Sequence, residues 1–392
     1  MTVTKTSNTV LTMLGSQEPP FVPEGVAAMT VRLDLPPGFL AARRSGGIGG
    51  RRDRDKELVM RVFLAGATGV IGRRVVPLLS ERGHSVTGFV RRDADADWLR
   101  SLGAKAERGD VFDADGVRRA VALAAPDVVM HQLTDLKGGN RQANSEMRVT
   151  GTRNLVDAAL AAGVRRVVAQ SIAWVYQAGP VPATEDVPLD VGADGSRLRT
   201  VQGVAALEGA VREAPEWVVL RYGLLYGPGT WYSRGGLMAD SAARGELAAD
   251  GDVSSFVHVD DAASAATEAL SWPTGFVNVC DDVPAPAREW VPAFCRAVGV
   301  PVPAAAGGER PGWARGADNG YARKELHWTP AWPSWRDGFA ALQVLSPPAR
   351  RPRGHPRRAR ILRWMRPCWP ACPATSRPCW PARRSPSRCC SS

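Results

Sequence analysis

Residues 60–74 read MRVFLAGATGVIGRR, an apolar run that stops at a glycine and gives way to a helical pattern. RVFLA at 61–65 suits a strand buried on both faces, because such strands carry continuous apolar residues rather than alternation. Glycines at 66, 69 and 72 follow directly. Gly66 permits a tight turn, Gly69 lets backbone N–H groups approach a pyrophosphate, and Gly72 lets helix and strand pack closely. The helix N-terminus then turns its partial positive charge toward the phosphates. A lone glycine pattern is weak, but here the preceding strand and following helix agree with it. The spacing predicts a dinucleotide site at Gly66, Thr68, Gly69, Val70, Ile71 and Gly72.

Outward from this turn the same alternation repeats. Apolar runs at 85–90, 127–131, 165–170 and 217–222 read as buried strands, and AKAER at 104–108 as a strand at the sheet's margin. Helical patterns at 70–82, 95–102, 114–124, 142–162 and 199–213 separate them. Strands alternating with helices predict an α/β fold, a Rossmann-like doubly wound parallel sheet with a smaller C-terminal substrate lobe. The lobe is expected after residue 223, where Gly/Pro-rich loops join a helix near 260–270, a short strand FVNVC at 276–280 and a helix near 287–298. The expected organisation is an extension over 1–59, an NAD(P)-binding domain over 60–223 with a lobe insert near 177–197, a substrate lobe over 224–343, and a tail over 344–392. Met60 looks like the natural start of the folded domain, with a Gly/Arg-rich linker before it.

The net charge of +11 suggests a nucleic-acid partner until its location is considered. Residues 344–392 hold twelve Arg and no acid, so the segment between the two ends is mildly acidic. That tail also holds ten Pro and cannot bury enough apolar surface to offset its ordering entropy, so disorder is expected there and in 1–59. No apolar run is long enough for a membrane helix, and the N-terminus is a poor secretory signal. Cys280 and Cys295 stand apart in the core, which fits a reducing cytoplasm rather than a disulfide framework. Cys368 and Cys372 have one residue too many for a CxxC pair, and no metal site is expected.

The end of the second strand bears on which dinucleotide binds. GFVRRD places Arg91 and Arg92 where NAD sites usually keep a carboxylate for the ribose 2′-OH. An arginine there accommodates the 2′-phosphate of NADP. The expectation is NADP, with NAD as the alternative and Asp93 adjacent.

With these blocks in view, residues 60–343 resemble the extended short-chain dehydrogenase/reductases of the NAD-dependent epimerase/dehydratase type. GDVFDADGV at 109–117 is similar to the segment after the family's third strand, which implies that Asp110 and Val111 lie near the adenine. PDVVMHQLTDL at 126–136 looks like its fourth strand, with Gln132 and Leu133 replacing the usual Leu-Ala. RVTGTRNLVDAA at 148–159 matches its NxxGTxNLxxAA helix, with Arg148 where Asn is usual. LRYGLLYGPGT at 220–230, SFVHVDDAASAA at 255–266 and YARKELHWTP at 321–330 resemble its later blocks. The resemblance implies a nicotinamide-dependent enzyme acting on a small polar metabolite, such as a nucleotide sugar or a secondary metabolite.

This chain departs from the family where its chemistry usually resides. The family relies on Ser/Thr with Tyr and Lys as YxxxK, a charge-assisted arrangement that lowers the phenol's pKa. Aligning Glu208 in LRTVQGVAALE (198–208) with the family's marker glutamate puts Thr200 at the Tyr position and Val204 at the Lys position. Aligning Val175-Tyr176 with its VYG puts Ile172 at the Ser/Thr position, with Ser171 one residue before. None of the five tyrosines has Lys four residues later, so the motif is absent from the chain.

Tyr176, His131 and Ser171 remain as candidate catalytic groups near the nicotinamide end. Arg148, Arg221 and Tyr226 are candidate substrate contacts, and the tryptophans of 217–335 read as lobe packing. The first reading is an NAD(P)-dependent oxidoreductase or epimerase/dehydratase with a non-standard acid/base, with a homodimer as one assembly open to it. The alternative is a non-catalytic NADP(H)-binding sensor or scaffold. A nucleic-acid binder working through its tail ranks below both, and neither a specific nucleic acid nor a membrane is an expected partner.

Overall fold

The computed structural model describes residues 59–134 and 141–344, and in it the opening run becomes an inner strand of a parallel sheet. In chain order the strands are β1 (Arg61–Ala65), β2 (Ser85–Val90), β3 (Lys105–Arg108), β4 (Val128–His131), β5 (Arg166–Ile172), β6 (Glu216–Tyr222), β7 (Leu224–Tyr226), β8 (Val253–Ser254), β9 (Phe256–His258), β10 (Gly275–Val279) and β11 (Ala285–Pro286). Seven of these form one sheet in the order β10-β6-β5-β4-β1-β2-β3, every neighbour parallel. The order reverses beside β1, and at such a switch point the carboxyl ends of the strands leave a crevice for a ligand.

The helices are α1 (Gly72–Glu81), α2 (Asp93–Ser101), α3 (Ala114–Ala124), α4 (Arg141–Glu146), α5 (Thr152–Ala161), α6 (Gly195–Val211), α7 (Leu237–Ala243), α8 (Val259–Glu268), α9 (Ala287–Val298), α10 (Gly320–Lys324) and α11 (Trp335–Val344). Successive strand residues point to opposite faces, so Val62 and Leu64 join one core while Phe63 and Ala65 join the other. The first core takes Val75, Val76 and Leu79 of α1, Leu99 of α2, and the alanines of α8. The second takes Val117 and Val121 of α3, Leu155 of α5, and Leu207 and Val211 of α6. A third cluster, centred on Phe256, Trp290, Phe294, Trp335 and Phe339, fills the region built by α7, α9 and α11.

Two features differ from expectation. Residues 276–280, read as part of the lobe, instead supply β10, which pairs with β6 and completes the main sheet. The helix expected over 142–162 is interrupted, since Met147–Gly151 form a π-helical turn between α4 and α5. The sequence missed β7 with β9, β8 with β11, and α7, because elements of two to seven residues are too short to display a period. The disorder expected for 1–58 and 345–392 falls outside the described residues.

The glycine turn is fixed by contact. A Cβ on Gly72 would lie 2.1 Å from the Gly66 carbonyl oxygen, whereas one on Gly209, exposed near the end of α6, would meet nothing within 4 Å. Gly72→Ala is therefore expected to cost about 1–3 kcal/mol in urea unfolding. Gly209→Ala should gain about 0.5–1 kcal/mol through helix propensity. Equal effects of the two changes would contradict this account of the turn.

Candidate functional site

The loop after β1 has the form a dinucleotide needs. Gly66 adopts φ +93°, and a Cβ there would strike the Gln132 carbonyl oxygen at 2.4 Å, so the turn tolerates only glycine. Gly69 is exposed, its amide bonded to the Gly66 carbonyl at 3.0 Å, so its Cα face stays open to an approaching phosphate. The first N–H groups of α1 lack intrahelical acceptors, as at any helix start. Asp110 is exposed and accepts from the Phe112 amide at 3.0 Å, shaping the turn past β3. Val111 is buried beside it, and its carbonyl accepts from Asn154 at 2.8 Å. These residues fit a dinucleotide.

The two arginines at the end of β2 part company. Arg92 forms a bidentate pair with Asp95 (2.7 and 2.9 Å), while Arg91 is exposed and has no partner among the described residues. The adjacent carboxylate, Asp93, turns away to Arg108 at 2.8 Å. Sequence reasoning missed Arg73, whose guanidinium lies over the Trp98 ring at 4.5 Å and donates to the Thr68 carbonyl at 3.1 Å. Its signal was the arginine directly after the third glycine.

Beyond the carboxyl ends of β5 and β6 lies a cavity of about 380 Å³. Leu133, Arg148, Gln170, Ser171, Ile172 and Thr200 line its sheet side, with Trp231, Met238, Asp252, Trp290 and Trp313 among the residues opposite. Thr200 therefore faces the cavity at the family's Tyr position. Val204, at the Lys position, does not, since it is fully buried against Val175 and Val201.

Beneath that floor, Glu208 and Arg221 form a buried ion pair, Nη2–Oε2 2.7 Å and Nε–Oε1 2.9 Å, with both side chains 4% exposed. Ser171 Oγ donates to Glu208 Oε1 at 2.8 Å. Arg221 also donates to the Tyr176 hydroxyl at 3.2 Å and the Glu185 carbonyl at 3.2 Å. The Tyr176 hydroxyl donates to Asn278 Oδ1, and Asn278 Nδ2 donates to the carbonyls of Ala183 and Asp318. Burial pushes the Tyr176 phenol well above its ordinary pKa, against the pull of Arg221.

This network corrects several expectations. Tyr176, read as a catalytic candidate, is held in the core away from the cavity wall by two hydrogen bonds. Ser171 reaches the cavity but spends its proton on Glu208. Arg221, read as a substrate contact, is neutralised by Glu208 and does not line the cavity. Tyr226, read likewise, is fully buried edge-on to Phe256, His258 and Phe339. His131 is buried too, accepting from the Leu133 amide at Nδ1 (3.1 Å) and facing Thr152 Oγ1 from Nε2 (2.9 Å). Nδ1 as acceptor fixes the proton on Nε2, so neither nitrogen is left for a ligand.

Arg148 does reach the cavity and has no hydrogen-bond or ionic partner among the described residues. Asp252, which the sequence did not single out, also lines it. Burial first and neighbouring Asp250 second raise its carboxyl to about 6, opposed by Arg310. Among the described residues no group of metal-binding side chains is clustered, and no helix is long and apolar enough to cross a membrane.

A family model described as the NAD dependent epimerase/dehydratase family matches residues 62–280. A 3-diazoavenalumate denitrifying reductase from a Streptomyces species is 45% identical over 308 residues, covering 71% of this chain and 99% of that protein. A 2-alkyl-3-oxoalkanoate reductase of Stenotrophomonas maltophilia is 30% identical over 261 residues, covering 62% of this chain and 77% of that protein. Among solved structures, a Thermus thermophilus UDP-glucose 4-epimerase in complex with NAD has a TM-score of 0.59 at 24% identity. It covers 73% of this chain and 98% of its own, a likeness of fold.

The neutral state of His131 can be tested through stability. Burial, then the Arg148 charge, lowers its pKa from 6.5 to about 4. A depressed imidazole stabilises the fold above the unfolded pKa, and that contribution is lost as pH falls toward the folded value. Relative to His131→Gln, the wild type is expected to lose about 2–3 kcal/mol between about pH 7 and pH 4.5 in urea unfolding. Parallel pH curves for the two proteins would contradict it.

Proposed function

The chain belongs to the NAD-dependent epimerase/dehydratase family, as an oxidoreductase/epimerase-type enzyme on a Rossmann-like sheet, and on that premise we propose that it is an NADP(H)-dependent reductase of a small organic acid that carries its diazo group as an arenediazonium cation. The observation that carries this reading is the cavity wall beside β5 and β6. Ile172, Thr200 and the buried Val204 replace the usual acid/base set, and Ser171 and Tyr176 are tied into the Glu208–Arg221 network. A carbonyl reductase must deliver a proton to a developing alkoxide, which is why a matched acid is normally present. A reduced nicotinamide dinucleotide, when bound, supplies a hydride equivalent, and a diazonium carbon accepting one forms its C–H bond while the C–N pair leaves on dinitrogen. No oxyanion develops in that change, so the chain has no proton to supply. The relative named as a denitrifying reductase, similar along nearly its whole length, supports the same chemistry.

The chain's own contribution is then positioning and exclusion of water. Thr200, Gln170 and Leu133 form the floor on which an acceptor lies, and Trp231, Trp290 and Trp313 cover it. Low-dielectric walls shield a reactive diazonium from hydrolysis. NADP(H) is favoured over NAD(H) because Arg91 stands at the end of β2 with no partner among the described residues, while Asp93 is paired with Arg108 and Asp95 with Arg92, leaving no adjacent carboxylate for a ribose hydroxyl. Buried, unpaired Cys280 and Cys295 suit a reducing cytoplasm.

A second reading rests on Asp252, whose carboxyl near pKa 6 faces the cavity and could protonate a carbonyl oxygen. One experiment separates the two. Full-length enzyme is given NADPH with arenediazonium acids or 3-oxo acids, and NADPH loss is followed with dinitrogen release. One dinitrogen per NADPH is expected, with Asp252→Asn changing kcat less than about three-fold. Arg91→Ala should cost roughly ten-fold or more in NADPH affinity and leave NADH unaffected. Turnover of 3-oxo acids alone, abolished in Asp252→Asn, would replace the proposal with the second reading.

A further inference from the structure

Arg148 occupies a place that the helical period would not give it. In an uninterrupted helix, residues seven apart lie on one face, so Arg148 would share the face of Leu155, which is buried against the sheet. The π-helical turn Met147–Gly151 intervenes, with the Thr152 amide donating to the Met147 carbonyl five residues back. A π-turn holds one residue more than an α-turn, so the residues before it rotate by roughly a quarter-turn relative to those after it. That rotation takes Arg148 off the sheet-facing stripe and into the cavity.

The surroundings keep it there. Gly203 of α6 lies beside its stem, where a Cβ would make ordinary contact with Arg148 Cδ at 3.6 Å and a tighter one with Ser145 Oγ at 3.3 Å. Among the described residues no carboxylate pairs with it: Glu208 is paired with Arg221, Glu246 of the same cavity with Arg244, Asp252 stands among the residues opposite, and His131 beside it is neutral. Burial without compensation draws the guanidinium down to about 10, still cationic near neutrality. An arginine rotated into a cavity, desolvated and unpaired, is an anion receptor whose anion comes from the ligand.

We propose that Arg148 binds the carboxylate of the substrate, so that the cavity selects small aromatic acids by their anionic end. The π-turn is the device that sets this selection. The planar fork of the guanidinium matches two carboxylate oxygens, and the apolar, tryptophan-rich wall opposite accepts the remainder of a small aromatic acid. This names the substrate class of the proposed reductase, but binding does not depend on which bond is later reduced.

The test is titration calorimetry of the full chain saturated with NADP⁺, using 3-phenylpropionate, its neutral amide, and UDP as probes. The carboxylate is expected to bind at least roughly ten-fold tighter than the amide, and UDP should not compete with it. Arg148→Met should erase the preference for carboxylate over amide while leaving NADP⁺ affinity and thermal unfolding unchanged, and Arg148→Lys should restore part of it. The proposal is overturned if the wild type fails to bind the carboxylate by about 10 mM, or if Arg148→Met keeps the preference. It is also overturned if NADP⁺ affinity falls in Arg148→Met, which would assign the charge to the dinucleotide, or if UDP is the probe that needs Arg148. A chain that binds the carboxylate through Arg148 yet releases no dinitrogen would sink the diazo reading and leave this one standing.

Discussion

The ion pair between Glu208 on α6 and Arg221 on β6 governs the rest of the site. Two charges are withdrawn from water there, and attraction alone rarely offsets that desolvation unless further hydrogen bonds satisfy the remaining atoms. Ser171, Tyr176 and the Glu185 carbonyl provide those bonds, and Asn278 extends them toward the backbone of Ala183 and Asp318. The arginine is also sandwiched by aromatic faces, Phe276 at 4.0 Å and Tyr176 at 5.0 Å. Groups that looked available in the sequence are thus consumed in holding α6 against the sheet. The same arrangement leaves the cavity floor to Thr200, Ile172, Leu133, Gln170 and Arg148, with Ser171 turned to Glu208.

The consequence is a division of labour unlike that implied by the family's usual motif. Ser171 and Tyr176 are held in the Glu208–Arg221 network, while the charge at the floor that has no partner among the described residues is the Arg148 cation. Such a floor suits an acceptor that takes up a hydride and sheds a neutral leaving group. It is poorly matched to one that builds negative charge on oxygen, for which a donor would have to come from Asp252 across the cavity. The buried valine at the Lys position makes the same point, because an ammonium there would enter the Val175–Val201 cluster.

Much of the fold was legible because each large element has a period long enough to see. RVFLA, SVTGFV and WVVLRY became β1, β2 and β6 nearly residue for residue, and Gly66 and Gly72 stand where the turn and the close packing leave no room for a side chain. What escaped depended on long-range contacts. Tyr176 and Asn278 are separated by 102 positions, and no local pattern reveals that one would satisfy the other. Arg148 was visible as an unusual residue, but its direction depends on a π-turn that apolar spacing does not encode. Arg91 and Arg92 looked equivalent until Asp95 claimed one of them.

The central claim is that the reduced carbon receives its hydrogen as hydride, with no proton donated by the protein. Turnover of an arenediazonium acid with NADPH deuterated at nicotinamide C4 in ordinary water, and with ordinary NADPH in D₂O, tests it directly. The account predicts one deuterium at the former diazo-bearing carbon in the first case and none in the second. Deuterium entering from D₂O would show that a protonation step forms that C–H bond, and would contradict it.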